Sequence, residues 1–207
     1  MNNPYALIIQ PKENRYKNTK KVSDKNLILN TSISDHRYVS KEATVKALPG
    51  AFKTPLRESD EVLVHHNIFR RYYDVRGNEK NSGNYFKEDM YFCYYDQIFL
   101  YKQNNEWKAP LNYCFVKPIL NNKKDIITTE KERKHIGVLK YGNKSLEALG
   151  INEGDLIGFN LNSEYEFVID NNRLYRMQSK DITIKYEYKG DEVEYNPSWA
   201  KGCGRTY

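Results

Sequence analysis

Short apolar runs rich in Val, Ile, Tyr and Phe recur along the whole chain, separated by polar or Gly-containing segments. This is the pattern of β-strands joined by turns. No stretch keeps a helical period over ten residues. Ser145 to Leu149 offers a single helical turn, with Ser145 as its cap. Asp170-Asn171-Asn172, between the apolar runs 165–169 and 173–177, predicts a tight hairpin. Gly190-Asp191, between 182–188 and 192–195, predicts another. The chain is expected to be all-β.

The runs also repeat in order. ALIIQP (6–11) resembles YCFVKP (113–118), and ATVKAL (43–48) resembles IGVLKY (136–141). LRESDEVLV (56–64) aligns with INEGDLIGF (151–159), pairing Glu58 with Glu153 and Asp60 with Asp155. MYFCYYDQIFLYK (90–102) aligns with LYRMQSKDITIKY (174–186), pairing Tyr91 with Tyr175 and Ile98 with Ile182. Four weak matches in one order point to an internal duplication. The expected organisation is a β-barrel over 1–102, a linker over 103–111, a second barrel over 112–190 and an extension over 191–207. Small closed barrels answer the problem of exposed strand edges. Alternation places Leu7, Ile9, Val45, Val62 and Ile98 in one core, and Cys114, Val116, Val138, Ile157 and Ile182 in the other.

Composition narrows the function classes. The 18 Tyr, 8 Phe and 2 Trp among 207 residues can build cores, which excludes wholesale disorder. No run of about 18 apolar residues exists, so no membrane span is expected. The start, MNNPYALIIQPKEN, lacks the features of a secretory signal. Cys93, Cys114 and Cys203 have no C-x-x-C spacing, and two of them sit in apolar runs. That suits reduced thiols in a cytoplasmic setting rather than a disulfide framework or zinc ribbon. The net charge is +6, part of it in Lys12, Arg15, Lys17, Lys20, Lys21 and Lys25, read as a solvated loop.

Catalytic signatures are missing from the sequence: there is no G-x-S-x-G, P-loop or G-x-G-x-x-G. His65 and His66, read as strand neighbours, would point to opposite faces and could not share a metal. No enzyme activity, catalytic residue, metal or cofactor is therefore expected. Two segments stand apart. Residues 14–41 are long and polar, with one aliphatic island, Leu27-Ile28-Leu29; the second repeat has only Ile126-Ile127 in the matching place. Residues 65–85 have no counterpart in the second repeat and hold Phe69, Arg70, Arg71, Tyr72, Tyr73 and Arg76. Arg interleaved with Tyr serves either a subunit interface or stacking on nucleic acid.

The order of parts resembles the GroES-like (ten-kilodalton chaperonin) co-chaperonins, here as two tandem domains. Their opening strand leads into a long mobile loop with an aliphatic tripeptide, then a strand, a G-D-x-V strand and a closing hairpin. ALIIQP, Leu27-Ile28-Leu29, ATVKALP, SDEVLV and DQIFLY stand in that order, as do YCFVKP, IGVLKYG, EGDLIGF and KDITIKY. Ser59 replaces the glycine of G-D in the first repeat. The resemblance implies two small GroES-like β-barrels and a homo-oligomer. It also implies a mobile loop over 14–41 that docks on a GroEL-type chaperonin ring through Leu27, Ile28 and Leu29, with Ile126 and Ile127 as their second-repeat equivalents. Such a cap would assist folding in the cytoplasm, or in a host cytoplasm if the source is a phage. Two other readings stand beside it: a structural or assembly protein, such as one of a virion, that uses the barrels for packing, and a basic nucleic-acid-binding small barrel.

Overall fold

The computed structural model describes residues 3–110, 112–121, 131–187, 190 and 192–201. The chain divides into two compact units, Met1–Trp107 and Lys108–Tyr207. In the first, β1 (Leu7–Pro11), β4 (Glu42–Ala47), β5 (Glu61–Val64), β8 (Tyr85–Lys87), β9 (Met90–Cys93), β10 (Ile98–Gln103) and β11 (Glu106–Lys108) form one sheet in the order β11-β10-β5-β4-β1-β9-β8. Two hairpins stand outside it: β2 (Thr19–Val22) with β3 (Lys25–Ile28), and β6 (Arg71–Tyr73) with β7 (Glu79–Asn81). The second unit holds β12 (Tyr113–Leu120), β13 (Glu132–Tyr141), α1 (Lys144–Glu147), β14 (Leu156–Phe159), β15 (Tyr165–Ile169), β16 (Asn172–Gln178) and β17 (Ile182–Lys185). Its sheet runs β15-β16-β12-β13-β14-β17. Among the described residues no helix is long and apolar enough to cross a membrane.

Read from opposite ends, the two strand orders coincide. β10, β5, β4, β1, β9 and β8 answer to β17, β14, β13, β12, β16 and β15. The likeness extends to single hydrogen bonds. Val45 N–H donates to the Asp60 carbonyl and Leu139 N–H to that of Asp155, both at 2.9 Å. The Asp60 carboxylate accepts from Arg57 N–H at 2.8 Å, and that of Asp155 from Asn152 N–H at 2.7 Å. Before each aspartate the chain turns left-handed, at Ser59 (φ 72°) and Gly154 (φ 91°). Ser59 thus holds the conformation that glycine takes most easily.

Both opening strands also carry one extra residue on their partner. Ile8 pairs with Ala47 but Ile9 with Val45, and Phe115 pairs with Tyr141 but Val116 with Leu139. The skipped residues are Lys46 and Lys140. A bulge at that point bends the strand and raises its twist. It also corrects the sequence alignment by one position: Val45 answers to Leu139, not to Val138.

The first core contains all five expected residues, Leu7, Ile9, Val45, Val62 and Ile98, with Tyr91 and Phe69. The second contains Cys114, Val116, Ile157 and, partly buried, Ile182, but its β13 member is Leu139. Val138 packs instead with Ile119 and Leu156 in a separate cluster. Cys93 and Cys114 are buried free thiols. Burial pushes the Cys93 thiol far up and that of Cys114 to about 12, so both act as small apolar groups. Cys203 lies outside the described residues.

Other expectations are corrected. Neither sheet closes into a hydrogen-bonded barrel among the described residues. In the first unit β11 occupies the outer edge of β10, so residues 103–108 of the expected 103–111 linker are the end of β10, a turn and an edge strand. Left-handed Asn104 and Asn105 make that turn. Asn143, not Ser145, caps α1, accepting from Ser145 and Leu146 N–H. The 170–172 hairpin forms, on left-handed Asp170 and Asn171. The turn of the second expected hairpin falls partly on residues 188, 189 and 191, outside the described residues; beyond it Glu194 bridges to Ile119.

Candidate partner-binding hairpins

The 14–41 segment starts from a packed root. Tyr16 bridges to Val39, and Tyr16, Ile33 and Val39 are buried. Lys17 N–H donates to the Tyr38 carbonyl at 2.7 Å, and Ser40 N–H to that of Arg15 at 3.0 Å. Beyond this root β2 and β3 pair across a two-residue turn at Ser23 and Asp24. Leu29 N–H closes the ladder onto the Asn18 carbonyl. Leu27, Ile28 and Leu29 are 53%, 64% and 44% exposed. The tripeptide is thus strand-like at Leu27 and Ile28, yet it belongs to neither sheet and to neither core. Ile126 and Ile127 lie outside the described residues.

The second hairpin, β6–β7, grows from the 65–85 segment. Asp74 holds its tip, accepting from Arg76 and Asn78 N–H at 2.9 Å each. The Asn78 backbone bond comes first among the causes that hold the Asp74 carboxyl below its ordinary range. Tyr72 and Tyr73 are about half exposed and Val75 fully so. Phe69, by contrast, is a core residue.

One node fixes both roots. The Tyr16 hydroxyl accepts from Arg71 N–H at 2.7 Å and donates to the Ile33 carbonyl at 2.8 Å. Arg15 Nε donates to the Phe69 carbonyl and Nη1 to the Asn81 side chain at 2.6 Å. Its guanidinium lies over the Tyr91 ring at 5.2 Å, and that of Arg71 over the Tyr16 ring at 4.7 Å. Burial is the main cause that lowers the Arg15 pKa, and burial pushes Tyr91 up to about 12. Sequence reasoning grouped Arg15 with solvated lysines. It is instead half-buried, while Lys12 and Lys17 pair with Glu61 (2.8 Å) and Glu42 (3.0 Å).

Beside this node three imidazoles meet. The chain leaves β5 at Val64, and His65 caps a 3-10 turn over His66–Ile68, accepting Asn67 N–H on Nδ1 at 3.1 Å. The His65 and His66 rings are 4.4 Å apart and those of His36 and His66 5.1 Å apart. The expectation of opposite faces fails because the pair is not on a strand. Among the described residues no three metal-binding side chains are arranged to hold an ion. Burial first, then His65, His36, Lys41 and Arg70, lowers His66 from 6.5 to about 4. The unfolded chain therefore binds this proton more readily than the folded one. Stability should be complete above pH 6.5 and fall as pH drops from there through about 4. The loss should be about 1–2 kcal/mol, after discounting for solvent around a half-exposed ring. Urea unfolding at stepped pH should show this slope flattened in His66→Phe, which keeps a ring and cannot take a proton.

The second unit offers a different cluster. Arg173 donates to Glu132, Glu166 and the Tyr175 hydroxyl, each at 2.6 Å, and Tyr175 donates to Glu132 at 2.8 Å. Burial alone would lower the Arg173 pKa; the Glu132 and Glu166 bonds outweigh it and hold it above the ordinary value. An open pocket of 360 Å³ lies alongside, lined by Lys131, Lys134, Tyr195 and Trp199 among others. Its arginine is committed to bonds inside the unit, which makes it a poorer candidate than the hairpins. The exposed hairpins were legible as Leu27–Leu29 and as the Arg/Tyr segment; the shared node and the imidazole trio were not. No known family model matches the chain, and no curated protein matches it in sequence.

Proposed function

We propose that this chain is a co-chaperonin-like protein of two tandem GroES-like β units, oligomeric, and docking on an ATP-driven chaperonin ring through Leu27-Ile28-Leu29. The observation that carries the reading is the exposure of three consecutive aliphatics on a hairpin outside both cores. Exposed apolar residues grouped in this way suit contact with another protein. An extended segment can add to a groove through its backbone while side chains fill pockets. The duplicated strand order and the position of the hairpin between β1 and β4 also support it. Each loop would bind weakly, and several on one assembly would bind together through effective concentration. Function here needs no active site in the chain.

The test is capture of the protein on a purified GroEL-type chaperonin ring with and without ATP. Nucleotide-dependent capture is the expected result. Absence of capture under both conditions would overturn the reading.

A further inference from the structure

We infer that the Tyr72–Tyr73 hairpin is a second docking finger, which enters the same partner as Leu27-Ile28-Leu29, and that the receiving cleft on that partner protein has an acidic rim. The inference rests on the docking reading above and adds to it the second contact and the partner's charge. Three observations carry it.

The first is the common root. Tyr16 lies immediately before the first hairpin, and its hydroxyl accepts the N–H of Arg71, the first residue of β6. Arg15 reaches Asn81, the last residue of β7. The two hairpins therefore leave the first unit side by side, held by hydrogen bonds at their bases. Holding two contact elements in a fixed relation cuts the ordering cost of binding.

The second is the distribution of apolar groups. Neighbours on a strand face opposite ways. Leu27 and Ile28 are adjacent on β3, Tyr72 and Tyr73 on β6, and all four are exposed. Each hairpin thus carries an exposed apolar side chain on each of its faces. A flat surface such as a bilayer could cover only one of them. A protein cleft covers both, and tyrosine is enriched in such buried contacts.

The third is charge. Residues 18–29 carry three lysines against Asp24, and in residues 70–81 Arg71 pairs with Glu79 and Lys80 with Asp74, which leaves Arg70 and Arg76 as the excess charge. Both fingers carry excess positive charge beside their exposed apolar residues, which complements acidic groups at the mouth of a cleft.

The test measures binding of three proteins to the purified chaperonin ring with ATP: the parent chain, Ile28→Ser, and Tyr72→Ser with Tyr73→Ser. Both variants should bind about tenfold more weakly or worse, with unchanged melting, since the substituted side chains are exposed. Parent affinity should fall between about 50 and about 300 mM salt. Parent-like binding by the tyrosine variant overturns the second finger and leaves the tripeptide reading intact. Affinity that ignores salt overturns the acidic rim. Failure of the parent chain to bind overturns the docking reading and this inference together. Binding to phosphatidylserine vesicles that both variants lose would place a membrane where the protein partner is proposed, and overturns it as well.

Discussion

Ile28→Asp should lose capture on the chaperonin ring and melt at the temperature of the parent chain. A fully buried Leu or Ile side chain is worth about 1.5–3 kcal/mol. Part of that is realised in a groove, about 1 kcal/mol per hairpin once ordering costs are set against it. The aspartate removes that contact and places a charge in an apolar site, which costs more. Over several hairpins of one oligomer the losses multiply, because each tenfold in affinity is only about 1.4 kcal/mol. Stability should be untouched, since Ile28 is 64% exposed and belongs to no core cluster. Capture and thermal unfolding are to be measured on the same preparation. A large drop in melting temperature would show that the hairpin supports the fold, and unchanged capture would remove the tripeptide from the interface.

Leu139→Ala should destabilise the second unit by about 2–5 kcal/mol, the usual cost of emptying a leucine site in a packed core. Val138→Ala should cost less, about 1.5 kcal/mol for two methyl-sized groups. The order matters more than either value. An uninterrupted alignment of the repeats puts Val138 in the place of Val45 and so into the main core. The bulge at Lys140 puts Leu139 there, against Cys114, Val116, Ile157 and Met177. Urea unfolding midpoints of the two variants decide between the registers. A larger loss from Val138→Ala would mean that the bulge is misplaced.

Much of the candidate site was legible because its signal is local. Three aliphatics inside a polar stretch stand out in any reading, and so do tyrosines interleaved with arginines. What joins them is not local. Tyr16 meets Arg71 across 55 positions. Arg15 meets Asn81 across 66 positions, and His36 meets His66 in a ring contact. No periodicity or spacing marks such pairs. Arg15 therefore read as one more loop charge, and the histidines as unrelated side chains.

The strands of the four repeated blocks, the internal duplication and nine of the ten core residues named from alternation follow from the sequence by itself. Alternation selects the buried face of a strand, and turn residues such as Asp170 and Asn171 end it, whatever lies elsewhere in the molecule. The tertiary structure alone decided three things. The first is where a strand slips: the extra residues at Lys46 and Lys140 appear only when a strand is laid against its partner. The second is whether the sheet closes: in the first unit β11 lies on the outer edge of β10, and neither sheet closes among the described residues. The third is how two polar insertions become a pair of anchored hairpins. Register, closure and anchoring all come from hydrogen bonds between distant segments, each chosen against other partners of similar strength. A linear pattern holds the candidates for those bonds, and only the packed chain selects among them.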